Sequence, residues 1–77
     1  MRVMLKEPEN DTVIAVEASE IAFKVDVANE CMGIMIVKMA GKTGTCKMPK
    51  ITYEKYIEDL NSHGCLDLRH RQFVFEA

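Results

Sequence analysis

With 77 residues, 48% hydrophobic and 29% charged, the chain has room for one folded domain, residues 1–77, and none for a large catalytic cleft. Ten basic and twelve acidic side chains leave a formal charge of -2, which lacks the positive excess that drives binding to nucleic-acid backbones. The first apolar run, Val3-Met4-Leu5, is too short for a secretory signal, and no stretch approaches the ~18 apolar residues of a membrane span, so a cytoplasmic protein with no membrane contact is expected.

Arg2 to Lys6 and Thr12 to Glu17 are rich in Val, Leu and Ile and are separated by Glu7-Pro8-Glu9-Asn10-Asp11. Proline fixes its backbone angle, and Asn and Asp tolerate tight bends, so this reads as strand, turn, strand. From Glu20 the residues alternate, with Ile21, Phe23, Val25 and Val27 on one face and Glu20, Lys24 and Asp26 on the other. That period of two marks a half-buried strand. Asn29 to Gly33 turns the chain, Ile34 to Ala40 forms the next strand, and Thr45 to Met48 pairs back across a bend at Gly41 to Gly44.

A helical alternative runs through the same region, because Ile21, Val25, Ala28, Met32, Met35 and Met39 fall on steps of four and three. Gly33 and the β-branched residues Ile21, Val25, Val27, Ile34, Ile36 and Val37 count against it. Phe23, Val27, Ile34 and Val37 also leave such a helix without a polar side, so strands are the reading taken.

Thr52 is placed to cap a helix over residues 52–62, with Tyr53, Tyr56, Ile57 and Leu60 on one stripe and Glu54, Lys55, Glu58 and Asp59 on the other. Gly64 suits the left-handed residue just past its end. Cys65, Leu66 and Leu68 read as strand, and Phe73-Val74-Phe75 as a last edge strand after the polar run Arg69-His70-Arg71-Gln72. The expected fold is therefore α+β: a small antiparallel sheet of about four to six short strands, packed by one helix and followed by one or two short strands.

Gly41-Lys42-Thr43 resembles the end of a phosphate-binding loop, but the pattern needs a glycine five positions earlier, where Ile36 stands, and a helix afterwards, where Gly44 and Pro49 intervene. A turn between two strands accounts for it. Cys31, Cys46 and Cys65 form no CxxC pair and read as reduced thiols. Cys46, His63, Cys65 and His70 are the residues a zinc site would draw on, although they lack the two tight ligand pairs such sites favour. The methionines at 32, 35, 39 and 48 read as core filling ahead of a partner-binding patch or a copper site. No cofactor is expected.

No nucleophile with its base, and no pair of carboxylates in a cleft, is legible. A non-enzymatic protein-interaction module is the expectation, in the manner of a small regulator or inhibitor such as phages carry, a setting that follows from size alone. The partner-binding candidates are Arg69, His70 and Arg71, the densest positive cluster, and Glu54, Glu58 and Asp59 on the polar side of the helix. A zinc-binding domain and a weak nucleic-acid binder through Arg69 to Arg71 are the alternatives. A homodimer is a further alternative, since a small sheet with an exposed edge and a methionine-rich face can complete its core by self-association.

Overall fold

The computed structural model describes residues 1–7 and 9–77, so Pro8 of the first expected turn lies outside the described residues. The elements are β1 (Arg2–Lys6), β2 (Val13–Val25), β3 (Met32–Met39), β4 (Lys42–Pro49), α1 (Lys50–His63), β5 (Cys65–Asp67) and β6 (Val74–Glu76). They make one α+β unit, a six-stranded sheet of order β5-β1-β2-β3-β4-β6 with a single helix. The sheet is mixed: β5 runs parallel to β1, aligning Val3 with Leu66, whereas the other neighbours pair antiparallel.

The two segments expected as separate strands, 12–17 and 20–27, are one long strand with a bulge. Ala18 pairs with Met39 and Glu20 with Lys38, leaving Ser19 as the extra residue, its hydroxyl donating to the Lys38 carbonyl at 3.2 Å. A bulge changes the phase of the alternation. Even-numbered Ile14, Val16 and Ala18 face the core before it, and odd-numbered Ile21 and Phe23 after it. The first half of β2 pairs with β1 and the second with β3, so the bulge sits where the strand changes partner. Val27, expected on the inner face, is 98% exposed in the turn beyond the strand.

The bend between β3 and β4 is tighter than expected. It takes only Ala40 and Gly41, the latter at φ 80°, and Gly44 lies inside β4 opposite Val37. Lys42 and Thr43, expected within the bend, instead begin β4 opposite Met39 and Lys38.

The helix begins at Lys50 rather than after Thr52, and no side chain caps it. Pro49 still pairs with Met32 in the sheet, so the chain passes directly from strand to helix. The Lys50 N–H donates to the Cys31 carbonyl at 2.8 Å, a backbone group doing what the threonine was expected to do. At the other end Gly64 adopts the left-handed conformation at φ 71°, and its N–H donates to the Leu60 carbonyl at 2.7 Å, as the sequence foretells.

The edge strands β5 and β6 are joined only by residues 68–73, which themselves turn, with the Arg71 N–H donating to the Leu68 carbonyl. Six flat strands would set the outer two roughly 24 Å apart. The short connection therefore requires the sheet to curl around its inner face. There Val3, Leu5, Met35, Val37, Cys46 and Met48 meet Leu66, Leu68 and Phe73, all buried. Met35, Met39 and Met48 are core filling, as expected, whereas Met32 at the start of β3 is only half-buried and outside the core cluster. Tyr53, Tyr56 and Leu60 bring the helix onto the same core, with the Tyr53 ring stacked on Phe23 at 4.6 Å.

Candidate functional site

The cationic run at 69–71 lies in the connection between the two edge strands, and each of its members has a partner within the chain. Arg69 forms a two-pronged ion pair with Asp67, Nε to Oδ1 at 2.9 Å and a terminal nitrogen to Oδ2 at 2.8 Å, and its own N–H donates to Oδ1 at 3.1 Å. These hydrogen bonds hold the Asp67 carboxyl down at about 2 and raise the Arg69 guanidinium.

Arg71 Nε donates to the Tyr56 hydroxyl at 3.1 Å, and that hydroxyl is 2.9 Å from His70 Nε2. The guanidinium carbon also lies 5.7 Å from the centre of the Tyr56 ring. Tyr56 thus ties the 68–73 connection to the helix. The chemistry expected of this cluster toward a partner is in large part spent on the fold.

Glu54, Glu58 and Asp59 are exposed on the far side of α1. None of them pairs with Arg69, His70 or Arg71 among the described residues. The acidic and basic candidates do not form one site.

The four alternative metal-ligating residues are likewise dispersed. Cys46 is buried on the inner face of β4, His63 is exposed in the last helical turn, Cys65 is half-buried at the start of β5, and His70 is exposed against Tyr56. Among the described residues no group of three or more His, Cys, Asp or Glu side chains stands close enough to hold a metal ion. Burial pushes the Cys46 thiol up, with the Arg71 charge opposing.

The surface that the sequence reading missed is the outer face of the sheet, opposite the helix. Its side chains are fixed by register, because directly paired residues point to the same side. Ala22, Ile36, Thr45 and Val74 line up across β2, β3, β4 and β6. On one side of that row run Lys24, Ile34 and Lys47, and on the other Glu20, Lys38, Thr43 and Glu76. Ile34 is 40% exposed and Val74 65%.

Lys38 pairs with Glu20 at 3.9 Å, whereas Lys24, Lys47 and Glu76 have no ion-pair partner among the described residues. At the end of this face a hollow of about 320 Å³ lies between Val25, Val27, Ile34 and Lys47. The available signal was the run Ile34-Met35-Ile36-Val37, apolar on both faces of one strand, which a sheet covered on only one side leaves half exposed.

Among the described residues no helix is long and apolar enough to cross a membrane. A scan against protein-family models, a search of curated proteins and a search of solved structures each returned no match.

Proposed function

We propose that this chain is a non-enzymatic protein-interaction module that binds another polypeptide through the outer face of its sheet. The observation carrying this reading is the row Ala22, Ile36, Thr45 and Val74 with Ile34 beside it, a mostly apolar strip, half-buried at Ala22, Ile36 and Thr45 and exposed at Ile34 and Val74, that neither the helix nor the 68–73 connection covers. Contiguous exposed apolar surface rimmed by charge is what protein-binding faces present. Lys24 and Lys47 beside Ile34, with Lys38 in the opposite outer row, supply the polar rim. A regulatory or inhibitory role fits a module of this size and belongs to the same proposal.

Affinity capture from the native host, with an untagged copy of the chain co-expressed, tests it. The wild-type chain should retain at least one polypeptide that an Ile34→Asp, Val74→Asp double variant of unchanged circular dichroism releases. Identical captures by the two proteins would count against the outer face and return attention to the helix and the cationic connection.

A further inference from the structure

We infer that the outer sheet face is self-complementary and that its occupant is a second copy of this chain, an inference that rests on the proposed role of that face. The three rows carry a graded charge. Lys24 and Lys47 make one margin positive, the middle row is uncharged, and Glu20, Lys38 and Glu76 give the other margin a net negative charge. Two copies can pack these faces together about a two-fold axis lying in the interface, and two orientations of that axis matter.

An axis running along the strands sets the β2 margin of one copy against the β6 margin of the other, bringing Glu20 opposite Glu76 of its mate. Like charges so placed are repulsive. An axis running along the middle row instead exchanges the two outer rows. Lys24 then faces Glu20 of the mate on β2, Ile34 faces Lys38 on β3, and Lys47 faces Thr43 with Glu76 one strand away, each contact occurring twice by symmetry. Ala22, Ile36 and Val74 meet their own counterparts in the middle. The charge pattern selects this second arrangement, a sandwich in which the apolar row of each copy is covered by that of the other.

The size of the face sets the expected strength. Four strands at about 4.8 Å and three rows at about 6.8 Å give roughly 400 Å² per copy. This is half of the ~800 Å² per partner of a standard interface, so a rapidly exchanging dimer is expected, populated at high protein concentration. The terms that hold it are the apolar row and the two Lys24–Glu20 pairs, and the latter weaken with salt.

Sedimentation equilibrium from micromolar to millimolar protein, in low and high salt, tests the inference. The average mass should rise from 8.7 kDa toward twice that value, less steeply in high salt. Ile36→Lys should abolish the rise, as should Lys24→Glu or Glu20→Lys alone, while the Lys24→Glu, Glu20→Lys double variant should regain it. Circular dichroism of each variant checks that the fold is kept. A wild-type chain that stays monomeric throughout overturns the inference, as does a dimer that Ile36→Lys leaves intact or a double variant that fails to recover. A strictly monomeric chain that still loses a captured protein on Ile34→Asp, Val74→Asp would sink the dimer and leave the interaction module standing.

Discussion

The two faces of β3 and β4 are built from the same short stretch of chain, yet they have opposite fates. Met35, Val37, Cys46 and Met48 on the inner side are almost inaccessible, whereas Ile34, Lys38 and Lys47 on the outer side are exposed. Ile34 and Met35 are neighbours of comparable hydrophobicity, so composition does not separate them. The difference comes from what lies above each: Phe73, Leu68 and the Tyr53, Tyr56 and Leu60 stripe of α1 close the inner side, and among the described residues no element crosses the outer one. The face closed by the chain itself carries the stability, and the open face is the one to which the proposed partner binding is assigned.

The widest contrast should appear in thiol labelling. Cys31 is exposed in the β2–β3 turn, while Cys46 is buried and its thiol is pushed up by that burial. Under native conditions a thiol reagent should modify Cys31 at once and Cys46 only on unfolding, because the thiolate is the reacting form. Comparable rates measured by mass spectrometry would contradict the buried placement of β4.

In stability, Leu5→Ala on the inner side should cost about 2–5 kcal/mol in urea unfolding, whereas Val74→Ala on the outer side should stay within about 0.5 kcal/mol. Gly33→Ala comes next. A Cβ at Gly33 would lie 2.4 Å from the Phe23 ring and 2.5 Å from the Lys24 carbonyl oxygen, a backbone atom with little freedom to yield. The expected loss is roughly 1–3 kcal/mol, and it should shift the near-ultraviolet signal of the Phe23–Tyr53 stack as well.

Tyr56→Phe keeps the ring and removes the hydroxyl shared by Arg71 and His70. A loss of about 0.5–1.5 kcal/mol is expected, with faster amide exchange in residues 68–73. The smallest effect belongs to Asp67. Its folded-state value of about 2 lies below the ordinary 3.8, so its ion pair with Arg69 contributes in full above the ordinary value and is lost as the pH falls through about 2. Since the pair is exposed, Asp67→Asn should alter the acid limb of a stability-against-pH curve only slightly and leave neutral pH nearly unchanged.

The candidate site was legible in pieces. The cluster at 69–71 is plain in the sequence, and Asp67, two residues away, is a local partner that spacing alone could have suggested. Its tie to Tyr56 was not legible, because that contact spans from 14 to 15 residues and depends on the helix lying over the 68–73 connection. The outer rows were hidden for a related reason. A register of four strands must be known before Ala22, Ile36, Thr45 and Val74 become one line, and the bulge at Ser19 alters which residues of β2 belong to it.

Alternation, turn chemistry and the apolar stripe of Tyr53, Tyr56 and Leu60 determined the α+β class, the approximate place of most strands and the helix, and the Gly64 stop, since those signals act between near neighbours in the chain. The remaining features required tertiary structure. Joining residues 13–25 into one strand, starting the helix at Lys50 on the Cys31 carbonyl and aligning β5 parallel to β1 all depend on backbone groups far apart in sequence finding hydrogen-bond partners. Which face of the sheet became core was decided in the same way, by the short 68–73 connection curling the sheet and by the helix closing over one side of it.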